Sequence, residues 1–198
     1  MSNIETINNN YSKLNFIETE LRSPMSGSGL FKIYINKEKN ILYKKIKSRY
    51  RKIYEDKIEK YKKIIYDLKN NEVLSEFIFK HNKILIENDG SYYCSYIING
   101  IRLWDINLNS KINCIILNKI KNSVLEMKEK LNNYVKTKKL NGDWSLHNLI
   151  YCLDSDKIYN IDLEGFYTYP YMKDDGNCDI KHCNNRFDTL LKIINKLI

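Results

Sequence analysis

Asp143, Asn148 and Asp162 constrain this chain more than anything else in its 198 residues. They stand in Gly142-Asp143-Trp144-Ser145-Leu146-His147-Asn148-Leu149-Ile150 and in Ile161-Asp162-Leu163-Glu164. Between them lie two apolar runs, Leu149 to Leu153 and Lys157 to Ile161, separated by the polar Asp154-Ser155-Asp156. That pattern predicts two strands joined by a turn. A hairpin brings the chain back to where it began, so Asp162 is expected beside Asn148. Whatever the fold, it has to present a tight Asp–Asn loop and an acidic strand end to one cleft.

This is the set of groups that phosphoryl transfer from ATP uses. In such a transfer one carboxylate receives the proton of an attacking hydroxyl, and an amide oxygen and a second carboxylate hold magnesium ions that bridge the nucleotide phosphates. Two oxygen ligands on neighbouring strand ends suit a hard cation that keeps several waters. The bland alternative is a surface hairpin with ordinary turn acids.

The rest of the chain bears on that choice. Its length suits one good core or two small lobes sharing a cleft. Net charge is +9, which admits nucleic acid, an anionic surface or a phosphorylated ligand as partner. Ala and Gln are absent while Lys, Asn, Ile and Tyr abound. Such usage is the imprint of an AT-rich genome, and it supplies lysines without selection for a partner. No zinc finger, RNA-binding aromatic signature or compact Arg cluster is present, so a nucleic-acid-associated role ranks last. No apolar run is long enough to span a bilayer, and Met1-Ser2-Asn3-Ile4-Glu5 does not read as a signal peptide. The five scattered cysteines, an odd number, argue against a disulfide framework and for a reducing, cytoplasmic compartment.

Residues 1 to 22 form a polar, Asn-rich segment expected to be loosely ordered. Ser23 to Leu30 holds the Gly cluster Ser26-Gly27-Ser28-Gly29, followed by strands at Leu30 to Ile35 and Ile41 to Ile46. Such a loop can lay backbone N–H groups over phosphates. Lys44 and Lys45 fall on opposite faces of the second strand. Lys44, after Ile41-Leu42-Tyr43, is the one expected under the Gly loop. A helix from Ser48 to about Asn70 carries Glu55 and Glu59 on one face. Either suits an ion pair with the strand lysine, Glu59 being preferred; pairing with local lysines is the alternative. A short helix is expected over Glu72 to Lys80, and a strand pair over Lys83 to Glu87 and Ser91 to Ile98, turning at Asn88-Asp89-Gly90. A long helix is expected over Lys111 to Tyr134, with Ile116, Ile120, Val124, Leu131 and Val135 inside, and a closing helix over Phe187 to Leu197. Cys178, His182 and Cys183 match no strong zinc spacing. His147 reads as a loop-packing residue. Glu164 supports the metal site or is an exposed acid, and Trp104, Tyr167 and Tyr169 are core or acceptor-lining.

The order of these features resembles the protein-kinase-like fold. It is most similar to the small-molecule branch of aminoglycoside phosphotransferases, choline kinases and lipopolysaccharide-core sugar kinases. That branch has a catalytic loop of the type His-Gly-Asp-x-x-x-x-Asn and a metal strand of the type Ile-Asp-Phe-Glu. Here Asn141-Gly142-Asp143 to Asn148 and Ile161-Asp162-Leu163-Glu164 stand in those places. Ile97-Ile98-Asn99-Gly100-Ile101-Arg102-Leu103 resembles the hinge. The resemblance implies an α+β, two-lobed fold: a small antiparallel-sheet N-lobe over 23–98 and a reduced helical C-lobe over 99–198. It implies ATP and Mg2+ as cofactors, Asp143 as catalytic carboxylate, Asn148 and Asp162 as magnesium ligands, and Lys44 as phosphate anchor. Backbone groups of Tyr96 to Ile98 would hold adenine.

Two departures stand out. Asn141 replaces the family's His, and 36 residues follow Asp162 (198 minus 162) where relatives carry several more helices. No Ala-Pro-Glu segment is present, which argues for a small-molecule, sugar or glycan acceptor over a protein. Three readings follow: a minimal kinase, a kinase whose acceptor site is completed by a second subunit or partner protein, or a pseudokinase that binds without turnover.

Overall fold

The hairpin predicted around Asp154 to Asp156 forms, and a second sheet forms independently of it. The computed structural model describes residues 17–19, 31–36, 38, 41–48, 51–52, 58–78, 85–89, 91–95, 99–108, 112–138, 140, 142–162 and 180–198. The chain divides into two compact units, one of residues 1–63 with 81–98 and one of 64–80 with 99–198. Residues 64–80 thus cluster with the C-terminal half rather than with the strands that flank them in sequence.

The first unit is a five-stranded antiparallel sheet: β1 (Ile17–Thr19), β2 (Phe31–Asn36), β3 (Ile41–Ile46), β4 (Leu85–Ile86) and β5 (Tyr92–Ser95). The spatial order is β1-β2-β3-β5-β4. In β3 the alternation buries Leu42 and Ile46 and exposes Lys45, as a two-residue period requires. Asp89 closes the turn before β5 by accepting the Ser91 N–H at 2.9 Å, and it pairs with Arg51 at 3.3 Å. Buried Ser91 then accepts the Ile46 N–H on its Oγ at 3.0 Å. Within the segment expected to be loose, Ile17–Thr19 instead pairs with β2 from Ile17 opposite Ile35 to Thr19 opposite Ile33. Two β-branched residues flanking a Glu suit a short strand that covers an otherwise open edge.

The second unit holds the three-stranded sheet β6 (Gly100–Arg102), β7 (Leu149–Cys152) and β8 (Lys157–Asn160), in that order and antiparallel. Residues 64–69 of helix α1 (Ile58–Lys69) belong to this unit, and α2 (Cys114–Tyr134) and α3 (Ile180–Leu197) pack on each other. Asn113 caps α2, its side chain accepting the Ile115 N–H at 2.7 Å. Leu117, Ile120, Val124, Met127 and Leu131 make its buried face. Ile120, Val124 and Leu131 are buried as expected, while Ile116 and Val135, also expected inside, are only half-buried: Ile116 stands next to Leu117 at the edge of the stripe and Val135 is the C-cap. The closing helix starts at Ile180, seven residues before the expected Phe187, because Cys183 and Phe187 share its buried face.

Of the helix expected over Glu72 to Lys80, the described residues, 72–78, form only a 3-10 turn, Leu74–Glu76. Asn71 explains it. Its side-chain oxygen accepts the N–H groups of Val73 and Leu74 at 3.1 and 2.9 Å, which starts a tight turn. The turn ends where Ile78 forms a parallel bridge with Asn160. No helix among the described residues is long and apolar enough to cross a membrane. Cys114, Cys152 and Cys183 are free thiols.

Candidate functional site

The Asp143 loop is positioned from both sides. Gly142 has φ of 100°, a conformation that favours a residue without Cβ. Trp144 is fully buried and meets Phe77 edge to face, with ring centroids 6.3 Å apart. Between these anchors Asp143 makes a local turn, its Oδ1 accepting the Ser145 N–H at 3.0 Å. Ser145 precedes the 3-10 turn Leu146–Asn148, which the Asn148 N–H closes on the Ser145 carbonyl at 2.9 Å. Chain direction then switches to β7.

The hairpin does what the sequence requires of it. At its tip Asp156 adopts φ of 53° and is clasped by three groups. Lys119 and Tyr151 each reach its carboxylate at 2.7 Å, and Ser123 Oγ donates to its carbonyl at 3.0 Å. At its base the Ile161 N–H donates to the Asn148 carbonyl at 2.7 Å. Asn148 Nδ2 donates to Asp162 Oδ2 at 3.2 Å and to the Asp143 carbonyl at 3.4 Å. Asp143, Asn148 and Asp162 therefore meet in one half-buried cluster.

Asn160 is the residue that sequence reasoning missed. It is fully buried. Its Nδ2 donates to the Asp143 carbonyl at 2.9 Å, and its Oδ1 accepts the Asp162 N–H at 2.9 Å. Its own N–H donates to the Phe77 carbonyl at 2.6 Å. One buried amide thus ties the loop, the strand end and residue 77 together. The signal was present: a polar residue closing an apolar strand, two positions before the acid, has to be satisfied inside.

His147 stacks on Trp104, centroids 3.9 Å apart and planes tilted by 34°. Its pKa is lowered first by burial and then by the charges of Arg102 and Arg186, against the opposing pull of Asp105 and Asp143. That keeps the imidazole neutral and fits its expected packing role.

The remaining sequence candidates fall elsewhere. Lys44 lies on the covered face of β3, with its Nζ 5.4 Å from the centre of the buried Tyr92 ring. Lys45 is on the exposed face. Glu59 is 85% exposed and pairs with Lys62 at 2.7 Å, the local pairing that the sequence also admits. Ser26, Gly27, Ser28, Gly29, Tyr96 and Ile98 lie outside the described residues, as do Glu55, Glu164, Tyr167, Tyr169 and Cys178. His182 is exposed while its neighbour Cys183 is buried. Among the described residues no group of three His, Cys, Asp or Glu side chains converges as a metal cage.

No family model matches the chain, and no curated protein matches it. Among solved structures it is similar to the choline kinase LicA from Streptococcus pneumoniae. The likeness has a TM-score of 0.40 and 12% identity, covering 98% of this chain and 92% of that one. At that level the function has to be argued from the residues themselves.

Proposed function

We propose that this protein is a magnesium- and ATP-dependent phosphotransferase of protein-kinase-like fold, moving a γ-phosphoryl group to a hydroxyl of a small molecule, sugar or glycan. One observation carries the reading: the hairpin joins Asn148 to Asp162 at 3.2 Å directly beside Asp143. That supplies an acid–base group and two hard oxygen ligands in one cluster. When bound, magnesium neutralises charge on the transferring phosphate and its leaving group. Asn148 Oδ1 and the Asp162 carboxylate would hold it, with Lys44 anchoring phosphate. Tyr96 and Ile98 would hold adenine through backbone groups, and Ser26-Gly27-Ser28-Gly29 would cover the phosphates.

The acceptor oxygen forms a bond to the γ-phosphorus as the bond from that phosphorus to the bridging oxygen breaks. ADP leaves with the electron pair, and the acceptor proton passes to Asp143. Positioning and charge neutralisation supply most of the rate.

Asn141 in the place of the family's His favours a second reading, a module that binds nucleotide without turnover. Asp143→Asn separates the two. It keeps an oxygen for the Ser145 N–H but has no basic carboxylate. The phosphotransferase reading expects ATP turnover in the parent, lost in the variant with nucleotide affinity retained. No turnover in the parent against a broad hydroxyl panel favours the binding module. Equal turnover in both proteins removes Asp143 from the mechanism.

A further inference from the structure

The second unit carries a solvent-open cleft of about 650 Å³ that none of Asp143, Asn148 and Asp162 lines. One wall is the C-terminal end of α1 and the residues after it, from Asp67 to Val73. The other is the C-terminal end of α2 and the residues after it, from Lys130 to Lys138. The walls are tied at two points. Asn71 Nδ2 donates to the Tyr134 phenol oxygen at 3.2 Å, and Lys130 donates to Glu76 at 2.6 Å. The cleft is therefore preformed, and its volume is in the range of small-ligand sites. Its chemistry is polar: among the described lining residues Val73 is the one aliphatic side chain.

Hydrogen-bond accounting shows what the cleft lacks. Asn71 Oδ1 accepts the N–H groups of Val73 and Leu74, which fixes Nδ2 as the atom facing Tyr134. The phenol oxygen is therefore the acceptor of that bond, and its own proton has no acceptor among the described residues. A half-buried hydroxyl proton on a cleft wall calls for an oxygen from outside the chain. On the opposite wall Asp67 and Glu72 are exposed and have no ion-pair partner among the described residues. Their carboxylates only accept. The charge of Lys130 is answered by Glu76 and Glu126 at 2.6 and 2.8 Å. Lys138 is exposed, with its Nζ 5.8 Å from the centre of the Tyr134 ring, and adds donors on the Tyr134 side.

We propose that this cleft binds a neutral polyhydroxyl compound, a sugar or cyclitol, whose hydroxyls donate to Asp67 and Glu72 and accept from Tyr134 and Lys138. A hydroxyl is donor and acceptor at once, so one kind of ligand answers both walls. A cationic amine suits the two carboxylates, but it meets Lys138 and offers nothing to the Tyr134 proton. A multivalent anion suits Tyr134 and Lys138, but it meets Asp67 and Glu72. An apolar ligand strands all four groups. The site is one of binding, apart from the place of phosphoryl transfer, and it does not rest on the phosphotransferase reading.

Saturation-transfer NMR on the full chain, without nucleotide, reads such binding even when it is weak. Maltose, trehalose and inositol serve as neutral probes, and spermidine and citrate as charged ones. At least one neutral probe is expected to give a saturable signal stronger than that of either charged probe. Asp67→Ala combined with Glu72→Ala should weaken its binding about tenfold or more. Thr137→Trp, on the rim, should remove it by filling the cleft. Asp67, Glu72 and Thr137 are all exposed, so these variants should keep the parent's melting temperature. No saturable signal from any neutral probe overturns the proposal. So does a spermidine or citrate signal equal to that of the best neutral probe, and so does sugar binding that survives both Thr137→Trp and the double substitution.

Discussion

Asn160→Ala removes the amide that joins Asp143 to Asp162, and its cost follows from the bonds it breaks. Two are lost: Nδ2 to the Asp143 carbonyl and Oδ1 from the Asp162 N–H, both 2.9 Å. A buried group left without its partner costs about 1–3 kcal/mol. The Asp143 carbonyl keeps a longer bond from Asn148 at 3.4 Å, so the lower end applies there. The sum is a loss of about 2–4 kcal/mol. With a urea slope of about 2 kcal/mol per molar, the unfolding midpoint should fall by about 1–2 M. Asn160→Asp is the informative partner. It keeps an acceptor for the Asp162 N–H, but it loses the donor and places a third carboxylate in a site with no exposure. It should destabilise at least as much as Ala at neutral pH and recover on acidification, when a buried acid is neutral. Urea unfolding and Mg-ATP affinity are measured on both variants. A loss under about 0.5 kcal/mol, the range of ordinary surface changes, together with unchanged affinity would refute the clamp.

Three further outcomes are expected. Lys44→Met should weaken Mg-ATP binding about tenfold or more through loss of a phosphate contact while costing only about 1 kcal/mol of stability from the Tyr92 contact; unchanged affinity removes Lys44 from the site. Asp156 has a pKa lowered first by Lys119 and then by Tyr151, so its stabilising effect is complete above its unfolded pKa of about 4 and is lost as pH falls through the folded value. Asn tolerates the positive φ there, so Asp156→Asn should melt below the parent at pH 7 and converge on it as pH falls below about 4; a gap independent of pH contradicts the clasp. His147 has a lowered pKa, so the unfolded chain binds its proton first and stability drops as pH falls below about 6.5. His147→Gln should flatten that part of the profile, and an identical profile in both proteins would contradict the burial of its neutral form.

What the sequence discloses here is what local chemistry decides. The Asp154-Ser155-Asp156 turn sits between two apolar runs, and the hairpin follows at Leu149–Cys152 and Lys157–Asn160. The strand at Ile41–Ile46 has the bounds that its pattern gives, because turn residues flank a β-branched and aromatic run. Tertiary packing decides the rest. In α2 the apolar residues are so dense that several stripes are available, and the buried one through Leu117 and Met127 is set by α3 and β8, not by period alone. In α3 the first turns are polar enough to hide a helix whose Cys183 and Phe187 are inside. Leu74–Glu76 tightens because Asn71 turns its side chain onto the backbone, which propensity does not register. The Asp143, Asn148 and Asp162 set can be read from spacing. Asn160 is marked only by its place as the polar residue that closes an apolar strand, a faint signal in an Asn-rich chain. The stacking of Trp104 on His147 joins residues far apart in sequence, and only the fold brings them together.

The most direct measurement is a thermal melt with ATP, with and without magnesium, on the parent and on Asp162→Asn. Ligand at about 100 times its dissociation constant adds about 2.7 kcal/mol, which is roughly 5–10 °C for a protein of this size. A magnesium-dependent rise of that order in the parent, absent in Asp162→Asn, is the predicted result. A parent that melts at the same temperature with and without magnesium at saturating ATP would contradict the nucleotide site.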